Sequence, residues 1–230
     1  MATALPRGLY GMLDLATANP GAPGALSSPG SGATLPRHIY APLFAAGVGV
    51  LQLRLKDASA ALLLAVLDEV RLHRPPGTLL IVNDRLDVAL AGGADGVHLG
   101  QDDLPLAAAR RCCPPGFLIG VSTHSESQAA AAAAHGADYI GFGPVFATTS
   151  KHNPDPVVGV ERLRAVCARS PIPVVAIGGI TPERLPELIA AGAHAVAIIS
   201  AINRAPDVRG AALAVQQQFG IPAPATGRAG

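Results

Sequence analysis

The chain has 230 residues, half of them apolar and 14% charged, with 17 basic against 16 acidic side chains. That apolar content excludes a disordered chain, and a net charge of +1 offers no general field to attract nucleic acid or an anionic membrane. No window reaches the roughly 18 unbroken apolar residues of a bilayer span: the nearest approach, 188–203, is interrupted by Gly192 and His194. The N-terminus lacks the pattern of an export signal, and Cys112, Cys113 and Cys167 have neither zinc spacing nor an even count. A cytoplasmic protein of one domain is expected, with no membrane or nucleic-acid partner, since α/β barrels run to about 250 residues as one unit.

In chain order, a short aliphatic run, a polar or glycine-rich turn and an Ala/Leu-rich stretch of helical length recur eight times. Strands are predicted at 8–13 (GLYGML), 49–54 (GVLQLR), 79–83 (LLIVN), 96–99 (GVHL), 117–122 (FLIGVS), 139–143 (YIGFG), 173–178 (PVVAIG) and 195–200 (AVAIIS). Helices are predicted at 59–73, 86–92, 106–112, 125–136, 160–169, 181–191 and 207–219, and the first βα unit is the least defined. Glycine recurs before the next strand in AAGVGV, AGGADGV, AHGADYI and AAGAHAV, as expected of helices closed by a left-handed residue. Strands apolar on both faces and alternating with helices indicate a parallel sheet covered on both sides. Eight such units in this length favour a closed (β/α)8 TIM barrel over an open doubly wound sheet. Two segments break the rhythm: 16–36, rich in Gly, Pro, Ala and Ser, is expected to be a flexible loop, and the tail at 221–230 is expected to fray.

Barrel active sites lie at the C-terminal strand ends, and polar residues collect there. Gln52, Arg54 and Lys56 are spaced by two, so one direction receives an amide and two cations. The alternative for this trio is an outward, solvated strand end. The third strand ends in Asn83 and Asp84, and the fourth leads to Gln101, Asp102 and Asp103. Carboxylates from two adjacent strands suit Mg²⁺, which takes one or two protein carboxylates and fills its shell with water and phosphate oxygens; the competing role for each is a helix N-cap. Gly178 and Gly179 follow the seventh strand and Ser200 the eighth, where such barrels bind phosphate. The loop at 143–156 supplies Thr148, Thr149, Ser150 and Lys151, hydroxyls and an ammonium suited to a pyrophosphate, without a P-loop motif. The strand-five loop adds Ser122, Thr123 and His124. His98 is read as a satisfied barrel residue, and His38, His73, His135, His152 and His194 share no ligand spacing; only His124 is placed to face a substrate.

Five segments in order, QLRLKD, VNDRLDVALAGGADGVHLGQDDL, IGVSTHS, GADYIGFGPVFATTSK and VAIGGIT, together resemble the thiamine-phosphate synthases, with the likeness running from about 47 to 202. The resemblance implies a (β/α)8 enzyme that joins 4-amino-2-methyl-5-hydroxymethylpyrimidine diphosphate to a thiazole phosphate, releasing pyrophosphate with Mg²⁺ as cofactor. By the same resemblance Arg54, Lys56, Asn83 and Lys151 are the pyrophosphate ligands, and Asp84 and Asp103 the metal ligands. Gln52 and Ser122 would hold the pyrimidine. Thr148, Ser150, Gly179, Ile199 and Ser200 would hold the thiazole phosphate, and Arg54, Lys56, Lys151 and Ser122 would carry the catalysis. The chain departs from the family pattern at Ala147, commonly Pro, at Ser150, usually Thr, and at Leu55, frequently acidic. Two other readings stay open on the sequence: a thiazole tautomerase using His124, and a non-catalytic sensor of phosphorylated ligands on the same barrel. The number of subunits is also open, a homo-oligomer included.

Overall fold

Eight parallel strands close on themselves in chain order, each paired with its neighbour and the eighth with the first. The structure, a computed structural model, describes residues 4–14, 37–148 and 155–224. Its elements are β1 (Gly8–Asp14), α1 (Arg37–Ala45), β2 (Val50–Arg54), α2 (Ala60–His73), β3 (Leu79–Asn83), α3 (Leu86–Ala91), β4 (Gly96–Leu99), α4 (Leu106–Cys112), β5 (Leu118–Thr123), α5 (Glu126–Ala134), β6 (Tyr139–Phe142), α6 (Gly159–Arg169), β7 (Val174–Ile177), α7 (Leu185–Ala190), β8 (Ala195–Ala197), α8 (Ser200–Asn203) and α9 (Val208–Gln218). This is the (β/α)8 barrel expected from the alternating pattern. Among the described residues no helix is long and apolar enough to cross a membrane.

Two apolar layers hold it together. Outward strand residues such as Leu13, Leu51, Leu53, Leu80, Val82, Val97, Ile119 and Ile140 pack against helix residues such as Ile39, Leu43, Leu63, Val66 and Leu67; burial of each large aliphatic is worth roughly 1.5–3 kcal/mol relative to exposure. Leu55 belongs to this outer layer. A second cluster, including Tyr10, Met12, Val50, Leu79, Ile81, Leu118, Tyr139 and Val175, fills the barrel interior. Inward positions therefore grade from apolar to polar towards the C-terminal mouth: Val50, Gln52, Arg54 on β2; Leu79, Ile81, Asn83 on β3; Leu118, Gly120, Ser122 on β5.

Local signals acted as their chemistry requires. Ser59 caps α2 by accepting from Leu62 N, and Ser125 caps α5 by accepting from Gln128 N. Gly47, Gly93, Gly136 and Gly192 all take positive φ after their helices.

Four expectations change. The helix expected over 181–191 begins as a 3₁₀ turn, Pro182–Arg184, before α7. Pro186 has no N–H for the carbonyl of Pro182, which instead accepts from Leu185 N. The strand expected over 195–200 stops at Ala197, and the chain turns into α8 at Ser200. The ill-defined first unit contains a nine-residue helix, α1. The tail does not fray at once: Ile221 packs on the outer core and its N–H donates to Gln216 O, and Pro224 lies against Gly47. The loop at 16–36 and residues 225–230 lie outside the described residues.

A packing prediction follows from Gly120, where a Cβ would sit 2.1 Å from Cζ of the fully buried Tyr139. Gly120→Ala must displace that ring within a packed interior, and overpacking of this kind costs about 1–3 kcal/mol. Urea denaturation is expected to show a loss of that size; a midpoint equal to wild type would show that the ring has room to move.

Candidate active site

A cavity of about 740 Å³ opens at the C-terminal end of the barrel. Gln52, Arg54, Lys56, Asn83, Asp84, Asp103, Ser122, Thr148, Gly179, Ile199 and Ser200 all line it, so the described candidates come from seven strand ends to one space. Ser150 and Lys151, with Thr149 and His152, lie outside the described residues. Gln52 is buried and Arg54 mostly so, which overturns the alternative of a solvated, outward strand end for these two; Lys56 is exposed but faces the same cavity.

The cationic side is anchored by a residue that the sequence reading passed over. Asp14, 1% exposed at the end of β1, pairs with Arg54, and the two are opposite one another in the β1–β2 register. A buried carboxylate beside the guanidinium fixes its direction and charge. Nothing in the sequence marks Asp14 except its place at the end of GLYGMLD, since its partner is 40 residues away.

The acidic side depends on a turn. Asp84 sits at φ +63, unusual for a residue with a side chain, at the centre of a γ-turn closed by Arg85 N donating to Asn83 O at 2.7 Å. Its own N–H donates to His98 O at 2.8 Å. Asp103 is held by Gly100 N, which donates to its Oδ2 at 2.6 Å. Asp103 lies near enough to act on the Asp84 carboxyl through its charge and through side-chain hydrogen bonding. Neither serves as a cap: the N-cap positions of α3 and α4 are Arg85 and Pro105, and neither helix start has a side-chain capping bond. Among the described residues no group of three or more His, Cys, Asp or Glu is arranged to hold a metal. Two facing carboxylates thus fit a hard cation that draws its remaining ligands from water and substrate oxygens.

Opposite lie the glycines after β7. Gly178 and Gly179 take φ +87 and +64, and a Cβ on Gly179 would fall 2.3 Å from Ala147 O. The β6 and β7 loops can approach this closely only without a side chain there. Phe146 N donates to Gly178 O at 3.1 Å, locking the two loops together.

The floor holds a buried polar chain whose central members the sequence reading missed or left unconnected. Gln52 Nε2 donates to Tyr10 Oη at 2.9 Å; Tyr10 and Tyr139 hydroxyls are 2.7 Å apart; Tyr139 Oη lies 3.2 Å from His98 Nδ1; and His98 Nε2 lies 2.9 Å from Ser122 Oγ. His98 is thus the satisfied barrel residue expected, and burial pushes its ring down to about 4, keeping it neutral at neutral pH. Burial also raises the Tyr10 and Tyr139 hydroxyls above the usual phenol range. His124 does face the cavity, with Nδ1 2.5 Å from Gly143 O and Nε2 3.5 Å from Asp155 Oδ2. His73, His135 and His194 bond backbone carbonyls elsewhere.

Comparison with known proteins agrees with this geometry. The family model described as "Thiamine monophosphate synthase" matches residues 32–202. The thiamine-phosphate synthase of Methanocella arvoryzae is 52% identical over 169 residues, 73% of this chain and 80% of that protein. That of Methanoculleus marisnigri is 48% identical over 176 residues, 76% and 83%. The chain belongs to the thiamine-phosphate synthase family. It is a transferase of thiamine biosynthesis. Among solved structures, the thiamine phosphate pyrophosphorylase from Pyrococcus furiosus superposes with a TM-score of 0.76 at 32% identity, covering 92% of this chain and 95% of that one.

In this family member the carboxylate contact has a pH signature. Burial first, then the neighbouring Asp103, pushes Asp84 up to about 6, against the opposing pull of Lys56 and Arg54. A carboxyl whose folded value lies above its unfolded value stabilises the fold at low pH, and that contribution is lost as pH rises from about 4 through 6. Asp84→Asn lacks this penalty, and Asn tolerates the positive φ. In the presence of a chelator, denaturant unfolding is expected to show the variant gaining on wild type between pH 5 and pH 7.5; a stability difference that stays constant over that range would show that Asp84 ionises without strain.

Proposed function

We propose that the cavity binds an aminopyrimidine diphosphate and a thiazole phosphate and joins them, with Mg²⁺ held by Asp84 and Asp103. One observation carries the reading: two carboxylates in contact and two cations, Arg54 and Lys56, line the same cavity as the glycine turn at Gly178–Gly179. A diphosphate with its cation suits the first set, a monophosphate the second.

The chemistry asks little of acid–base groups. The bond from the pyrimidine's exocyclic carbon to the diphosphate oxygen breaks, pyrophosphate leaves with the electron pair, and the carbocation is stabilised by the ring's own amino group. The lone pair of the thiazole nitrogen then forms the new C–N bond, so no proton need be removed. Arg54, steadied by Asp14, and Lys56 bind the departing charge. Mg²⁺, when bound, would supply further charge neutralisation on the leaving group. Gln52 and Ser122 would orient the pyrimidine, while Thr148, Gly179, Ile199 and Ser200 would hold the thiazole phosphate in line, an alignment that lowers the entropic part of the barrel's task. Asn83, Ser150 and Lys151 complete the ligand set on the family resemblance. A pair of facing carboxylates beside Arg54 and Lys56, which an isomerase relying on His124 would not need, supports this reading.

Purified protein given both substrates and Mg²⁺ is expected to release pyrophosphate; isomerisation of a thiazole without pyrophosphate release would replace the assignment. Arg54→Ala, Lys151→Ala and Asp103→Ala should each reduce turnover by about 10²-fold or more, with Asp103→Ala losing its response to Mg²⁺. His124→Ala should cost less than any of them in the same assay, and an equal or larger loss would move the chemistry to the histidine.

A further inference from the structure

We infer that Tyr10, Tyr139 and His98 form a relay that ties the hydrogen-bonding polarity of Gln52 to that of Ser122, and that this tie selects a ring bearing an amine over the same ring bearing a carbonyl. The inference deepens the proposed function and rests on the pyrimidine lying between Gln52 and Ser122.

The five groups are joined by four links of 2.9, 2.7, 3.2 and 2.9 Å, and Gln52, Tyr10, His98 and Tyr139 are all buried. Among the described residues neither phenol hydroxyl has another side-chain partner, and each carries one hydrogen. Gln52 Nε2 can only donate. Tyr10, having accepted from it, must donate to Tyr139, and Tyr139 must donate to His98 Nδ1. A neutral ring that accepts at Nδ1 carries its hydrogen on Nε2, and so donates to Ser122 Oγ. The Ser122 hydroxyl hydrogen is then left to the cavity, as are Gln52 Oε1 and the second Nε2 hydrogen.

This state offers an acceptor and a donor side by side at Gln52 and a donor at Ser122. An amine next to an unprotonated ring nitrogen matches the first pair, and a second ring nitrogen matches Ser122. A carbonyl analogue inverts the first edge, because its adjacent ring nitrogen bears a hydrogen. Gln52 can follow by turning its amide over, which presents Oε1 to Tyr10. Every link must then reverse: Tyr10 donates to Gln52, Tyr139 to Tyr10, His98 Nδ1 to Tyr139, and Ser122 to His98 Nε2. The Ser122 hydrogen is no longer available, and an oxygen lone pair meets the second ring nitrogen. The analogue is thus mismatched at one end or the other, and a buried polar group without a partner weakens binding by about 5- to 150-fold. Tyr10, Tyr139 and His98 are positioning residues in this account, acting through Gln52 and Ser122.

The test measures affinity for the aminopyrimidine diphosphate and its 4-oxo analogue by calorimetry with Mg²⁺, for the full-length wild type, Tyr139→Phe and Tyr10→Phe. Each variant removes a single oxygen and interrupts the relay at a different member, so either one reports should the other fail to fold. Wild type is expected to prefer the amine by at least about fivefold. Each cut frees the two ends to orient independently and is expected to bring that preference down towards one; a merely structural role would weaken both ligands alike and leave the ratio unchanged. A ratio unchanged in a folded variant, or no preference in wild type, overturns the relay while leaving the proposed function standing. Failure of wild type to bind the aminopyrimidine diphosphate at all overturns the proposed function, and the relay's role with it.

Discussion

In a closed barrel of parallel strands, alternate side chains must face one shared axis, and all the C-terminal inward positions must open at one mouth. This constraint makes the site from residues that are individually ordinary. Arg54, Asn83, His98 and Ser122 are the last inward residues of β2, β3, β4 and β5, and the positions beneath them on β2, β3 and β5 include Val50, Ile81 and Leu118. The interior runs from an apolar layer through a buried, uncharged polar floor of Gln52, Tyr10, Tyr139 and His98 to a charged rim, so the barrel buries few charges while its mouth concentrates them. The buried exception is Asp14, which is paired with Arg54.

The rim is electrostatically uneven. Two carboxyls face each other at the β3 and β4 ends, and Asp103 adds to the cost of ionising Asp84, which sits on a γ-turn at positive φ. Arg54 and Lys56 lessen that cost without abolishing it, since Asp84 is still pushed up to about 6. Strain and like-charge contact kept at one place in an otherwise well-satisfied structure are more economically explained by a ligand that relieves them than by folding. The proposed divalent cation with its diphosphate would have the charge and oxygen count to do so.

Periodicity and punctuation exposed the frame in the sequence because both are local. The strands at 79–83 and 96–99 and the helix at 106–112 have the bounds expected, and the glycines after four helices mark their ends. Pro186 shortened a helix that apolar spacing alone would have run through. The site was legible only where its residues stand at strand ends and spacing by two sets direction, as with Gln52 and Arg54. Whether Asp84 and Asp103 cap helices or face each other was undecidable from the sequence, because it turned on the φ of a single residue. Asp14, Tyr10 and Tyr139 gave no signal: an aromatic inside a strand reads as core, and Tyr139 meets Tyr10 across 129 residues of chain.

Those two tyrosines and His98 pose a question of economy, since apolar side chains would fill a barrel floor without needing partners. The strands make room for them at a cost. Gly120 lies where a Cβ would strike the Tyr139 ring, and Gly141 where a Cβ would come within 3.3 Å of His98 Cε1. Glycine within a strand weakens it through backbone entropy and lost packing, so two strands give up stability to seat these rings. Core filling alone does not account for that concession, because Val or Leu at the same places would fill the space and strengthen the sheet. A floor that must carry hydrogen-bond direction from β2 to β5 does account for it, since only groups that both donate and accept can pass that direction on.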